Sequence, residues 1–137
     1  MVRSAIRGLG EVNLWARDIA EMRRFYVDVL GLMPIHESKR HIFLKVADGY
    51  GGHPQVVALF NSRFGGVRVK PDITRTTLNH VAFEIPLAEF PHEKRRLEKL
   101  GLDIDEELHR EPHWRSLYFN DPEGNQIEFV AYDKNVH

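Results

Sequence analysis

The sequence predicts an α+β fold in which two βαβββ modules in tandem form a cupped mixed sheet. The first observation is a repeat, since Leu9–Leu14 reads LGEVNL and Leu78–Phe83 reads LNHVAF. A helical pattern follows each copy and ends in Leu-Gly-Leu, at 30–32 and at 100–102. The second observation is that short runs of apolar residues alternate with polar ones, which is typical of half-buried strands. Together they indicate the duplication of one mixed unit.

The length of the chain suits one domain made of the two modules. With 137 residues it can bury a single core of ordinary size. We predict module one over about 5–62, a linker over about 63–77 and module two over about 78–133. The linker prediction depends on Gly65, Gly66 and Pro71, which interrupt both periodic patterns.

The first module begins with an alternating strand over 10–16. Asp18 and Glu21 have the spacing of a capping box, which predicts the start of a helix there. Gly31 stands where a left-handed residue ends a helix, and Leu32 supplies the usual apolar contact. Further strands are predicted near 33–38, 42–46 and 55–61.

The second module repeats this order. A strand over 78–85 ends at Pro86, and Pro91 suits the first turn of a helix that runs to Leu100. Strands are predicted over 102–107, 116–120 and 126–132, with Asp121–Asn125 as a turn by composition.

Composition excludes several functional classes. Nineteen basic and twenty acidic residues leave a net charge of −1, so no basic footprint for nucleic acid is present. The chain has no cysteine, which excludes disulfides and thiolate chemistry. No apolar run has the length of a membrane span or of a signal peptide. We expect a cytoplasmic protein with neither nucleic acid nor membrane as a partner.

The alternation also places candidate ligands on one side of the strands. Val12, Val81 and Ile127 belong to apolar phases, and the opposite phase contains Glu11, His80, Glu128, Tyr118 and Trp15. Imidazole and carboxylate together suit a divalent ion such as Fe, Mn, Ni, Co or Zn. Three side-chain ligands leave positions open for water or substrate.

Each of these residues also has a structural interpretation. A single strand histidine such as His80 is often a hydrogen-bonded structural residue, and Glu11 could form a half-exposed salt bridge. Glu128 in an apolar strand is more unusual, because an unpaired buried carboxylate is costly. The duplication strengthens the functional interpretation, since Glu11 and His80 occupy equivalent places in the repeat.

Three segments resemble the vicinal oxygen chelate superfamily, which includes glyoxalase I, methylmalonyl-CoA epimerase, fosfomycin-resistance proteins, bleomycin-resistance proteins and extradiol dioxygenases. The segments are Phe25–Leu32, Leu78–Phe83 and Tyr118–Glu128. The resemblance implies paired βαβββ modules around one divalent metal ion, a small-molecule substrate and a homodimer.

The resemblance transfers unevenly to individual positions. His80 and Glu128 match metal-ligand positions, and Glu11 stands where His is usual and Gln or Glu also occurs. Ala58 stands at the position in the fourth strand where glyoxalase I and the epimerase carry a carboxylate or Gln. The remaining pattern resembles the fosfomycin and extradiol branches, although these normally have two His and one carboxylate. Tyr118 and His109 precede Glu128 in the sequence. In extradiol dioxygenases a Tyr and a His at comparable places lie near the substrate.

Two functional hypotheses follow. The first is a metal-dependent enzyme of the glyoxalase or dioxygenase type that acts on a small molecule with vicinal oxygens. Glu11, His80 and Glu128 would bind the metal, and Tyr118 and His109 would act in catalysis. The second is a metal-free protein of the bleomycin-resistance kind that binds an antibiotic. Trp15 and Phe60 would contact the small molecule in either case.

Overall fold

The computed structural model describes residues 4–64 and 78–136, and the chain divides into two compact units, Met1–Ile73 and Thr74–His137. Most of the predicted linker, about 63–77, lies outside the described residues. Its first two residues, Arg63 and Phe64, belong to a 3-10 turn that begins at Ser62.

The first unit follows the predicted order of elements. Strand β1 (Glu11–Ala16) leads to helix α1 (Ile19–Arg24), which continues as a π-helical turn over Phe25–Val29. Strands β2 (Met33–Glu37), β3 (His41–Ala47) and β4 (Gln55–Asn61) follow. They form one four-stranded sheet in the order β1-β4-β3-β2, in which β1 and β4 are parallel and the other pairs are antiparallel.

The ends of the first helical segment are set by the predicted residues. The backbone N–H of Glu21 donates to Asp18 Oδ1 at 3.0 Å, which confirms Asp18 as the N-cap. Gly31 has a φ of 77°, the left-handed conformation predicted for the residue after the helix. The predicted single α-helix is wrong in one detail, because hydrogen bonding shifts to the π pattern from Phe25 onward.

Strand alternation gives the first sheet its buried side. Leu14, Leu44 and Leu59 are buried on the same side of the sheet, and α1 packs against β4. Met22 and Tyr26 from the helical segment are fully buried. Each such large side chain contributes about 1.5–3 kcal/mol through removal from water, so this apolar side fixes the sheet to its helix.

The second unit has the same topology. Strand β5 (Val81–Glu84), helix α2 (Phe90–Lys99) and strands β6 (Asp105–His109), β7 (Trp114–Asn120) and β8 (Gln126–Tyr132) form a sheet of order β5-β8-β7-β6. The predicted α+β class with two βαβββ modules is therefore confirmed. Within the described residues no helix is long and apolar enough to cross a membrane.

Several strand boundaries differ from prediction by one or more residues, and two of them involve predicted site residues. β5 begins at Val81, so His80 directly precedes the strand instead of lying within it. β6 covers 105–109 instead of 102–107. The reason is the hairpin with β7, in which pairing extends to His109 and Trp114 beside the turn.

Candidate functional site

The second sheet carries its candidate residues on one side. Glu128 is paired with Tyr118 on β7 and with Ala82 on β5, and directly paired residues share a face. Ile127 and Phe129, its neighbours on β8, are buried on the opposite side. We call the side with Ser116, Tyr118 and Glu128 the polar face of the second sheet.

A hydrogen-bonded chain holds the two best candidate ligands. His80 Nε2 lies 2.8 Å from Glu128 Oε1, and Ser116 Oγ donates to Glu128 Oε2 at 2.5 Å. On the other side of the imidazole, Nδ1 lies 2.6 Å from Asn79 Oδ1. Glu128 and Ser116 are buried, with relative exposures of 5% and 0%. Asn79 thus positions the imidazole of His80, and Ser116 positions the carboxylate of Glu128.

This arrangement fits a divalent cation. Asn79 Oδ1 only accepts, so this contact places a proton on His80 Nδ1 and leaves Nε2 facing Glu128. An ionised Glu128 also only accepts, so a proton or a cation must stand between it and Nε2. The observed 2.8 Å is the length of a direct charge-assisted hydrogen bond, and an ion held by both atoms would replace the proton of that bond. A ring whose other N–H donates to an oxygen is the usual arrangement of a metal-binding histidine.

Tyr118 and His109 form a second pair on the same face. The Tyr118 hydroxyl lies 3.0 Å from His109 Nε2, and the Tyr118 ring stands edge-on to His80 with centroids 5.9 Å apart. Burial, followed by the negative charge of Glu128, raises the pKa of Tyr118 above its usual value. The phenol therefore stays protonated at neutral pH and can donate a hydrogen bond beside the histidine–carboxylate pair.

The first sheet has a different set of residues at equivalent places. Asn13 on β1 is paired with Ala58 on β4, as Ala82 is paired with Glu128 in the second unit. The register therefore places Ala58, a fully buried alanine, where the second unit has its carboxylate. Glu11 opens β1, and its Oε2 lies 4.0 Å from His53 Nε2.

An aromatic cluster covers the rest of that side of the first sheet. The ring centroids of Trp15 and Phe60 are 6.3 Å apart, edge to face. Phe60 also lies 5.7 Å from His41, which stacks on Phe43 at 4.6 Å. His36 completes the cluster at 5.0 Å from His41. We call these five residues the aromatic face of the first sheet.

Six of the seven predicted site residues are joined in pairs, whereas Glu11 lies beside His53, which was not predicted. The structure brings together His80 with Glu128, Tyr118 with His109, and Trp15 with Phe60. In the part of the chain that the structure describes, no group of three or more His, Asp or Glu side chains is arranged to hold a metal.

Sequence reasoning missed the supporting residues Asn79, Ser116 and His53. Alternation gave a signal for Ser116, because it lies two residues before Tyr118 on the same strand. The adjacency of Asn79 to His80 gave a weaker signal.

A comparison with protein families decides the relationship. The model of the glyoxalase/bleomycin resistance protein/dioxygenase superfamily matches residues 8–129. The chain belongs to this superfamily. The match covers both sheets except the last three residues of β8, and it includes all of the predicted site residues.

Solved structures agree with the superfamily assignment. An integron cassette protein from the mobile metagenome of a Halifax Harbour sewage outfall is 28% identical, with a TM-score of 0.71 over 92% of this chain and 99% of that one. A lactoylglutathione lyase from Agrobacterium tumefaciens is 26% identical, with a TM-score of 0.65 over 94% of each chain. The fosfomycin resistance protein FosX from Mesorhizobium loti is 25% identical, with a TM-score of 0.67 over 94% of this chain and 95% of that one.

Proposed function

We propose that this superfamily member is a metal-dependent enzyme that acts on a small molecule with two adjacent oxygen atoms. The observation that carries the proposal is the His80–Glu128 pair. Its Nε2 and Oε1 atoms, which are both suited to bind a cation, lie 2.8 Å apart, and Asn79 and Ser116 position the two side chains. The names of two similar structures, a lactoylglutathione lyase and a fosfomycin resistance protein, support chemistry on small oxygen-rich molecules.

In this proposal His80 and Glu128 hold one divalent ion of Fe, Mn, Ni, Co or Zn, and Glu11 is the predicted third ligand. When bound, the ion would act as a Lewis acid toward the substrate oxygens. Ser116 and Asn79 keep the ligand atoms in place, which lowers the cost of ordering them.

The neighbouring pair supplies the protein's own chemistry. The Tyr118 hydroxyl donates a hydrogen bond to an oxygen that gains negative charge in the transition state. His109, 3.0 Å from that hydroxyl, orients it and exchanges its proton. Glu128 or Glu11 can take up a proton from substrate carbon. Isomerisation, epoxide opening and ring cleavage with oxygen all use these functions.

Metal analysis tests the proposal directly. We expect about one divalent ion per chain in protein purified without chelator, lost in His80→Ala and in Glu128→Gln. Glu11→Gln should weaken binding. His92→Ala, which changes an exposed histidine on α2, is the matched control. Wild-type protein that stays empty after incubation with Mn, Fe, Co, Ni and Zn would refute metal dependence. Metal-loaded protein is then assayed for lactoylglutathione formation, fosfomycin modification and oxygen uptake with catechols.

The aromatic face of the first sheet favours a second candidate function, metal-free binding of an aromatic molecule such as an antibiotic. Five rings within one sheet surface offer stacking contacts, and Glu11 would attract a cationic group. Binding that persists in excess chelator, quenches tryptophan fluorescence and is lost in Phe60→Ala would favour this function.

The superfamily resemblance also predicts a homodimer. Light scattering on purified protein should give twice the mass of the chain, and the mass of a single chain at high concentration would contradict this prediction.

A further inference from the structure

The polar face of the second sheet carries more carboxylates than that of Glu128. Asp105 and Glu107 on β6 lie on this face, because their partners on β7 are two of the residues that define it. Glu84 on β5 lies two residues after the partner of Glu128, and therefore on the same side. All three are exposed. We propose that these carboxylates select the substrate of the proposed enzyme by charge, and that this substrate carries a positive group such as a protonated amine.

The basic side chains of this unit that form ion pairs do not neutralise the polar face. Arg115 is the only lysine or arginine in the described strands of the second unit, and it precedes Ser116, so it points to the opposite side. There it contacts Asp133 at 2.7 Å. Lys94 on α2 contacts Glu106, which also points away from the polar face, at 2.7 Å. The strand positions of the polar face are therefore acidic without a lysine or arginine among them.

The three carboxylates are close enough to Glu128 to act on a molecule bound beside it. Neighbouring strands are about 4.8 Å apart, and successive residues on one face of a strand are about 6.7 Å apart. The register then places Glu84 about 8 Å from Glu128 along the sheet, and Asp105 and Glu107 about 10–12 Å from it. Because these distances are similar to the Debye length of about 8–10 Å in ordinary buffers, salt screens the attraction only in part.

The charge of Glu107 also acts on the residues proposed for catalysis. Burial is the largest cause of the raised pKa of Tyr118, and the negative charges of Glu128 and Glu107 raise it further. Among the described residues, the basic group near Glu107 is His109, whose Nε2 lies 4.0 Å from Oε2 and so forms no hydrogen bond with it. Glu107 therefore remains available to a cationic group of the substrate.

A metal ion held by His80 and Glu128 would not reverse this preference. Its two positive charges would be balanced by its carboxylate ligands, Glu128 and the predicted Glu11. The other three carboxylates of the polar face then determine the sign of the charge that the rest of the substrate meets. A protonated amine is attracted there, whereas a carboxylate or phosphate is repelled.

Aromatic rings at one end of the polar face suit the same class of molecule. Trp114 and Tyr132 are direct partners on β7 and β8, and their relative exposures are 42% and 62%. Trp114 lies two residues before Ser116, so it belongs to the polar face. The face of an aromatic ring attracts a cation through its quadrupole. The rings and the carboxylates therefore both favour an organic cation.

Three catechols of similar shape test the proposal, which rests on the proposed function for the place where the vicinal oxygens bind. Dopamine carries a positive side chain, 4-ethylcatechol a neutral one and 3,4-dihydroxyphenylacetate a negative one. Calorimetry on the zinc-loaded full chain, without oxygen, measures their affinities. We expect dopamine to bind about five- to tenfold more tightly than 3,4-dihydroxyphenylacetate, with 4-ethylcatechol between them. High salt should bring this ratio toward one.

Variants of single carboxylates show where the preference comes from. Glu84→Gln and Glu107→Gln should each lower the ratio about twofold, because each removes one partly screened charge. Glu106→Gln removes the same charge from β6 on the other side of the sheet and should change the ratio much less. Circular dichroism checks that every variant is folded. Equal affinities of the three catechols, no binding of any of them to the metal-loaded protein, or equal effects of Glu106→Gln and Glu107→Gln would overturn the proposal.

A second pair of probes separates this proposal from the metal-dependent function. Metal binding without a preference for dopamine would overturn the charge selection alone. If the wild type binds no metal, 2-phenylethylamine and phenylacetate, which lack vicinal oxygens, are compared on the apo protein. In the variant Trp15→Phe the remaining tryptophan, Trp114, reports binding on the polar face by its fluorescence. A preference for the amine that is lost in Glu84→Gln/Glu107→Gln would support charge selection without metal, and its absence would overturn it.

Discussion

At the scale of single residues, the site depends on the hydrogen bonds that its buried polar side chains form in place of water. Glu128 is 5% exposed, and a buried carboxylate without partners would cost several kcal/mol. Its two oxygens contact His80 and Ser116. The Ser116 hydroxyl donates to Oε2 and leaves Oε1 to the imidazole of His80. Ser116 is therefore a positioning residue for the proposed metal ligand.

We expect Ser116→Ala to weaken divalent-ion binding by about 10–100-fold, the usual effect of removing a partner of a ligand. The methyl group fits the buried site but leaves Glu128 Oε2 without its donor. Competition with a chromogenic chelator measures the affinity. Ser62→Ala, in the first unit, is the control and should bind like the wild type. Equal affinities for the two variants would show that Ser116 does not position Glu128.

The sequence predicted some of these residues and not others for physical reasons. Period-two alternation is enough to place Tyr118 and Glu128 on one face of their strands, and the register confirms that they are direct neighbours. The part played by Ser116 depends on a side-chain distance that alternation does not contain. His53 was missed because it lies in a loop, where no periodicity exists to give it a direction.

At the scale of secondary-structure elements, an ion pair connects the end of the first helix to the edge of its sheet. Arg23 at the end of α1 contacts Glu37 at the end of β2, with Nε–Oε1 at 2.5 Å and Nη2–Oε2 at 3.2 Å. This bidentate pair joins α1 to β2 through two residues that are fourteen positions apart in the chain. The glycine at the end of each helical segment, Gly31 or Gly101, lets the chain turn toward the next strand.

The Arg23–Glu37 pair predicts a pH effect with a definite sign. The hydrogen bond from Arg23 holds the pKa of Glu37 below its usual value. The stabilisation is therefore complete above the unfolded pKa of about 4.3 and is lost as the pH falls through the lower folded value. Carboxyl NMR titration should show the lowered pKa in the wild type and a rise in Arg23→Gln. Arg24→Gln, which changes an exposed neighbour, should leave it lowered, and an equal rise in both variants would contradict the pairing.

Gly31 gives a prediction about local backbone strain. Its φ of 77° is unfavourable for any residue with a Cβ, so Gly31→Ala should lower the free energy of unfolding by about 1–2 kcal/mol. No atom lies within 4 Å of the added Cβ, so the cost comes from the backbone alone. Gly8→Ala, which would meet only Gln55 Nε2 at 3.8 Å, is the control. Urea denaturation measures both variants, and equal stabilities would contradict the argument.

At the scale of the whole molecule, duplication explains what could be predicted and what could not. Two copies of one sequence pattern predict two sheets of identical topology, and both are present with the orders β1-β4-β3-β2 and β5-β8-β7-β6. Topology follows from the pattern because strands and helices have different hydrophobic periods. The two copies differ in their candidate ligand residues, since Ala58 in the first corresponds to Glu128 in the second. The repeated pattern therefore predicts the fold, but it does not predict which residues act as ligands.

The proposed metal centre predicts that ion binding stabilises the folded chain. A ligand that binds only the native state adds about 2.7 kcal/mol to the free energy of unfolding at a free concentration 100 times its Kd. The ligand atoms come from residues far apart in sequence, such as His80 and Glu128, so the unfolded chain cannot present them together. Urea denaturation of apo protein with and without Co²⁺ should show this gain, and excess chelator should abolish it. The double variant His80→Ala/Glu128→Gln should lose most of the gain while His92→Ala keeps it, whereas a full gain in the double variant would place the bound ion elsewhere in the chain.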